Sequence, residues 1–353
     1  MRKFVLFLMI FALFVFSLGF SQQGSSTAQR KILTFEDALN IALQNNKDLY
    51  VAKISLQSAL DDYEQKKKDP TTLILALTQA EKNAKLEQVK FNNTKLQIIQ
   101  NVRNAYFSVL EAQAQLRLLE KQVNLYQEQL NAVKSKFQLG NATETDVMQA
   151  EINLLSAKNN YDLGVSNLKN AWSQFWQVLG TEPMDVELKE PEFVTFDFNL
   201  DQLFSIAQEN LTTLVQAKNN VEIYELQVKL YDNDYTPKSQ LKSAQDSLES
   251  AKVNLTQSLA NAKLTISQRL DQLLNSLDKV NIQKKNLELA QKSFDIAKIR
   301  FNAGLITKID LLNSEINLVK AENDYYSALH TYWKNIDSLS LSVGKEIYER
   351  GDK

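Results

Sequence analysis

The chain has 353 residues with 8 glycines, 4 prolines and no cysteine, and its 40 basic side chains nearly balance 42 acidic ones. That composition provides no basic stripe for nucleic acid and excludes disulfides, thiolate metal sites and a lipid-modified N-terminal cysteine. A single histidine, His330, leaves almost nothing for metal or acid–base chemistry, and no phosphate-binding glycine loop, nucleophile elbow or HExxH helix occurs.

In chain order, Arg2 and Lys3 precede an uncharged apolar run from Phe4 to Phe20, and polar QQGSSTAQ follows. The pattern predicts a secretory signal peptide over 1–21, cleaved after Ser21. The competing reading is an uncleaved anchor, because the run sits at the short end of what crosses a bilayer. Export is expected. Thr34-Phe35-Glu36-Asp37 is a capping-box pattern, so a helical segment starts there, continues through Leu49 to Lys68 and stops at Asp69-Pro70.

From Thr72 to Leu139 there is neither glycine nor proline. Within that stretch Val102, Ala105, Val109, Ala112, Leu116, Leu119, Val123, Tyr126, Leu130, Val133 and Phe137 step by three and four, which specifies a coiled-coil seam. Gly140 ends the helix, and a return helix runs from Thr145 to Leu179. A linker over 181–198 carries two of the four prolines, and then the plan repeats. Ala42, Asn45 and Leu49 are answered by Ala207, Asn210 and Leu214, and a second long helix runs from Lys238 to Asn302. Gly304 turns the chain, and the last helix ends near Gly344. The expected organisation is a first helical repeat over 22–180, a second over 199–344 and a tail over 345–353. The fold class is all-α, two tandem repeats of long antiparallel coiled-coil helices. Each repeat supplies two staves, because a short rising helix and a return helix together match one long helix. Four long staves with alanine-rich seams make a thin core, so an oligomer with closed cyclic symmetry is expected.

The clearest internal evidence for repetition lies at the two turns. KFQLGNATETDVMQAEINLLSAKNNY, from Lys136, and RFNAGLITKIDLLNSEINLVKAENDY, from Arg300, share 11 of 26 positions without a gap. Gly140 and Gly304 suit helix ends in a left-handed conformation. Thr143-x-x-Asp146 and Thr307-x-x-Asp310 match the capping box, which by itself accounts for both aspartates. The functional alternative is that symmetry turns each into a ring of carboxylates at a pore mouth.

These two stretches, with LTFEDALNIALQNNKDLYVAK and the weaker LDQLFSIAQENLTTL, resemble the TolC-like outer-membrane efflux family over essentially the whole mature chain. The resemblance implies a homotrimer of twelve staves forming a tapered α-barrel across the periplasm. Its partners would be a periplasmic adaptor (membrane fusion) protein and an inner-membrane pump, with no cofactor and no catalysis. It places the chain in the periplasm, associated with the outer membrane, as a passive duct for small molecules or proteins. The glycine turns become the periplasmic tips. Asp146 and Asp310 fall on positions of constriction and cation binding, whereas the family's gating tyrosine and arginine correspond to Phe301 and Ile306. The tip is therefore expected to close by apolar contacts more than by ionic links, with Lys308 pairing Asp146 or Glu144.

The family's β-strands are missing. Lys68 to Thr71 and Tyr231 to Pro237 occupy their places, and neither leaves room for a hairpin of spanning strands, each roughly 9–11 residues. A separate barrel protein, or abutment on the membrane, would have to complete the path. Lys66, Lys67 and Lys68, with Tyr231 and Tyr235, lie at that end. They read either as a solvated helix terminus or as contacts to anionic headgroups. A non-conducting periplasmic coiled-coil spacer is the rival to conduction. His330, beside Tyr326, Tyr332 and Trp333, reads as a packed or surface residue rather than a ligand. Sequons at Asn92, Asn141, Asn210 and Asn254 are of the frequency expected in an asparagine-rich chain.

Overall fold

A computed structural model describes residues 31–348, so the expected signal peptide lies outside the described residues. In chain order the elements are β1 (Lys31–Leu33), α1 (Phe35–Asn45), α2 (Lys47–Lys68), α3 (Ile74–Gln138), α4 (Glu144–Leu179), β2 (Val186–Leu188), α5 (Leu200–Asn210), α6 (Thr212–Tyr231), α7 (Lys238–Asn302) and α8 (Lys308–Val343). The two long helices have 65 residues each, roughly 100 Å at 1.5 Å per residue. Helices α4 and α2 together flank α3, as α8 and α6 together flank α7. Helices α8 and α6 also pack against α3, so the staves run in the order α4/α2, α3, α8/α6, α7. Helix α3 is covered on both sides, and α7 and the α4/α2 stave are the two edges.

Two features correct the sequence reading. The rising segment from Thr34 to Lys68 is two helices, because the chain breaks at Asn46, which adopts an extended conformation and accepts a hydrogen bond from the Leu49 amide at 2.9 Å. Asparagine favours such an N-cap over helix continuation, since its side chain satisfies an amide that the helix leaves free. The second copy breaks at the corresponding Leu211, without a side-chain cap. The other correction concerns the linker. Its β2 pairs in parallel with β1, Lys31 opposite Val186 and Leu33 opposite Leu188, and its Phe193 and Phe196 pack edge-on against Tyr332 and Trp333.

The core gathers at one level, where these breaks, the linker and the end of α8 meet. Tyr106, Phe107, Phe175, Tyr332 and Ile336 are fully buried there, with Phe35, Trp172 and Trp176 packed alongside. The Tyr106 hydroxyl lies 2.9 Å from the Leu33 carbonyl and 2.7 Å from that of Lys189, and it accepts from the Lys189 amide at 2.9 Å. Burial pushes its pKa above the ordinary range, so it remains a donor. Gly344 ends α8 with φ of 77°, against the α5–α6 break. A Cβ there would penetrate the Asn210 carbonyl and crowd the Leu211 amide, so only glycine lets the two backbones meet.

Away from this belt the staves thin to paired helices. The seam predicted on α3 packs as a small cluster of Val123, Tyr126, Leu130 and Val133 with Val147, Ala150 and Leu154 of α4. At the last turn Phe137 is largely exposed. Toward the other end the buried contacts include the alanines Ala80 and Ala84 on α3 and Ala244 and Ala251 on α7. No described helix is long and apolar enough to cross a membrane.

Candidate functional site

The two tips are built alike. Helix α3 ends in a Schellman turn, in which the Gly140 amide donates to the Phe137 carbonyl at 2.9 Å and the Asn141 amide to that of Lys136 at 2.8 Å. Helix α7 ends in the same way, with Gly304 donating to Phe301 at 2.9 Å and Leu305 to Arg300 at 2.9 Å. Both glycines are left-handed, with φ of 73° and 72°, and nothing lies within 4 Å of where their Cβ atoms would stand. Leu139 and Leu305 are exposed at the two turns.

The return helices start with complete capping boxes. Asp146 accepts from the Thr143 amide and hydroxyl, both at 2.8 Å, while the Asp146 amide donates back to Thr143 Oγ1 at 3.2 Å. Asp310 repeats the geometry with Thr307, at 3.0, 2.7 and 3.1 Å. Both carboxylates are exposed. The Thr143 amide bond, then its hydroxyl, holds Asp146 below the usual carboxylate range. The Thr307 hydroxyl and amide do the same for Asp310. Each aspartate thus uses one oxygen, Oδ2, on its own helix start and keeps Oδ1 toward solvent. Phe301 and Ile306 are half-buried at the second tip.

Lys308 does not meet Asp146 or Glu144. It bonds Glu128 of α3 at 2.6 Å. The reason is register: α3 stands between α8 and α4, and Lys308, four residues past Gly304, is level with Glu128, twelve residues before Gly140. The Lys121–Glu315 pair, 2.7 Å apart, has the same offset. The first tip therefore extends roughly 10 Å beyond the second.

The opposite end holds the short connectors, 69–73 and 232–237. They lie level with each other, because Lys82, eight residues after the first of α3, pairs with Glu222, nine residues before the last of α6. Lys66 bonds Asp62 at 2.7 Å, and Lys67 and Lys68 lie 4.0 Å from Glu64, an arrangement typical of a helix end in water. The Tyr231 hydroxyl is 3.4 Å from Gln227 Nε2, while Tyr235 is 97% exposed, near exposed Leu73 and Ile74.

Two charged clusters in the belt are outside the sequence expectation. Arg103, 3% exposed, donates through Nε to Asp337 at 2.5 Å and through Nη2 to the Tyr348 hydroxyl at 2.5 Å, with its guanidinium 3.9 Å from the centre of Phe35. His330, which the sequence left as either a packed or a surface residue, is buried and faces Glu111 and Glu190. No sequence signal connects these residues, because the linker brings Glu190 to α8 from 140 positions away. Among the described residues no group of three or more histidine, aspartate or glutamate side chains is placed to hold a metal ion.

The edges of the layer carry apolar stripes. Met148, Ile152, Leu155 and Leu163 are exposed on α4, opposite the Ala150, Leu154 and Ala157 face that meets α3. On α7, Leu264, Leu274, Ile282, Leu289, Ile296 and Ile299 are exposed opposite Ile266, Leu273 and Val280. Ile282, Leu289 and Ile296 fall at strict seven-residue intervals, the spacing of a coiled-coil position.

Comparison with known proteins agrees with this architecture. The family described as Outer membrane efflux protein matches residues 73–181 and 205–345, well over half of the chain. The alkaline protease secretion protein AprF of Pseudomonas aeruginosa is 33% identical over 113 residues, covering 31% of this chain and 22% of that protein. The outer membrane protein TolC of Escherichia coli is 24% identical over 172 residues, covering 46% of this chain and 33% of that protein. The chain thus spans a third or less of the length of these two relatives. The outer membrane channel CmeC of Campylobacter jejuni superposes with a TM-score of 0.64 at 14% identity, covering 89% of this chain and 87% of that one.

Proposed function

This chain belongs to the outer membrane efflux protein family, and we propose that it is the periplasmic duct of a TolC-like export system, closed as a homotrimer. The observation that carries this reading is the open layer of four staves with unpartnered apolar stripes on both edges. Leu155 of α4 is 68% exposed and Leu289 of α7 is 66% exposed, on faces turned away from the chain's own core. Full burial of such a side chain contributes roughly 1.5–3 kcal/mol, so two stripes of this length favour joining the α7 edge of one copy to the α4/α2 edge of the next. Repeating that heterologous contact around an axis closes a ring and leaves no edge free.

In such a ring the tips at Gly140 and Gly304 form the inner-membrane-facing mouth, where an adaptor and an energy-supplying pump engage, and transport is passive. Asp146 and Asp310 contribute rings of carboxylates whose free oxygens face the mouth. Phe301 and Ile306 narrow it by apolar contact, so Phe301→Ala widens the closed state, and unchanged permeation through the variant duct would refute that role. The rim at Lys66, Lys67, Lys68, Tyr231 and Tyr235 faces the outer membrane. Connectors of five and six residues leave no room there for spanning strands, so a partner or the membrane surface completes the path.

The decisive experiment is the mass of the purified chain together with cross-linking between Leu155→Cys and Ile299→Cys, exposed positions that the offset between the tips brings level, in a protein without native cysteine. Three copies with cross-links between chains support the duct. A monomer at micromolar concentration, with no inter-chain product, overturns it and leaves a non-conducting spacer.

A further inference from the structure

His330 is the single histidine of the chain, is 1% exposed and stacks on Phe107 with ring centres 4.1 Å apart and planes 11° apart. Its Nδ1 lies 3.1 Å from Glu111 Oε1 on α3, and its Nε2 lies 2.9 Å from Glu190 Oε2 on the linker. A neutral imidazole has one donor nitrogen and one acceptor nitrogen, so it can donate to only one of two ionised carboxylates. The imidazolium donates to both. With the proton gone, one nitrogen lone pair points at a carboxylate whichever tautomer forms, and two glutamates face each other across a neutral ring.

We propose that His330 is a proton-operated clasp that fastens the linker to the α3/α8 pair and so sets the tightness of the belt. The linker is the covalent joint between the two halves of the chain, and Glu190 is a charged link from it to α8. Neighbouring links are of other kinds: the Tyr106 hydroxyl on Lys189, and the Trp333 indole donating to the Glu192 carbonyl at 3.3 Å. The charged and titratable groups around the ring include Glu111 and Tyr106 on α3, Glu190 on the linker, and Lys334, Asp324 and Tyr326 on α8, with Arg117 of α3 and Glu322 of α8 acting on Tyr326. Lys334 also reaches Glu111 Oε1, at 3.4 Å, and keeps that carboxylate paired when the histidine is neutral. Glu190 has no such substitute within the cluster. A cavity of about 230 Å³, lined by Glu111, Gln115, Glu190, Asn323, Asp324 and Tyr326, opens beside the ring and gives water a path for proton exchange.

The sign follows from the two partners. Burial alone would depress the histidine's pKa, but the hydrogen bonds to Glu111 and Glu190 outweigh it and raise the pKa above the ordinary 6.5. The clasp is therefore complete below pH 6.5 and is lost as pH rises through the raised native value. Burial likewise tends to raise the pKa of Glu111, but His330 and then Lys334 bring it below the ordinary 4.5. Its contribution is present above 4.5 and fails only as pH falls through the lowered native value. Mild acid tightens the belt, and alkali loosens it.

Because the chain has one histidine, selective labelling yields a single imidazole titration by NMR. The full chain is expected to titrate above 6.5, and Glu190→Gln to bring that value down. Hydrogen exchange at residues 186–196, taken as the ratio of His330→Gln to wild type at each pH, cancels the intrinsic base dependence. The ratio should show severalfold protection by the wild type at pH 6 that shrinks toward unity at alkaline pH. A native value at or below 6.5, or a ratio unchanged across that range, overturns the clasp. Should His330→Gln fail to fold, the same exchange ratio measured on Glu190→Gln decides the matter by the same criteria. The outcome is independent of oligomer mass, so it stands or falls apart from the duct.

Discussion

The tips and the belt are held by opposite means. At each tip the bonds that shape the turn join residues three to five positions apart, the carboxylates are exposed, and the glycine has open space around it. In the belt, side chains 234 and 219 positions apart meet as Arg103 with Asp337 and His330 with Glu111, and the glycine of α8 presses on another backbone. A tip can therefore move as a unit without disturbing the fold, whereas displacing any part of the belt exposes charge and aromatic surface together. The proposed duct, whose mouth would open while its body keeps register, would require that division.

The contrast is sharpest at the buried ion pair. Arg103→Ala leaves the enclosed Asp337 carboxyl without its cation and is expected to cost about 3–5 kcal/mol by chemical denaturation, whereas Arg103→Met with Asp337→Leu recovers most of that loss. A cost under about 1 kcal/mol for the single variant would break the comparison. The glycines come next. Gly140→Ala meets only the left-handed backbone penalty, about 1–2 kcal/mol, and Gly344→Ala adds a collision with Asn210 and should lower the thermal midpoint further. Equal effects would show that the belt yields as easily as a tip.

Smaller effects test the tips themselves. Thr143→Ala and Thr307→Ala should each cost about 1 kcal/mol and raise hydrogen exchange in the first turn of α4 or α8 alone. The capping carboxylates are held low, so their contribution is present above the ordinary 3.8 and lost only as pH falls through the lowered native values. Protection of these first turns, measured relative to the intrinsic exchange rate at each pH, should accordingly stay flat down to that acid range. Lys308→Ala, which removes a largely exposed bond to Glu128, should change stability by no more than about 1 kcal/mol.

Much of the architecture was legible beforehand because it follows from local relations. Thr34, Thr143 and Thr307 announce helix starts three residues ahead of an aspartate, Gly140 and Gly304 announce ends, and the absence of glycine and proline from Thr72 to Leu139 and from Lys238 to Asn302 leaves the two long helices unbroken. The interruption at Asn46 was missed because asparagine is tolerated inside helices, and only the packing of Asn45 on Leu179 and Gly180 shows why the chain turns there. Lys308 was assigned a plausible acidic partner in the facing tip, yet the offset between tips, which no single stretch encodes, gave it Glu128 instead.

By itself the sequence determined the long helices, the caps at Thr34, Thr143 and Thr307, the doubled turn and the α3 seam, since each depends on neighbours within one or two helical turns. Only the tertiary structure decided the order of the staves, the stagger of the tips and the company of Arg103 and His330. Those depend on which surfaces meet after the chain has folded back on itself, and the energy of burying a charge exists only once its surroundings are assembled.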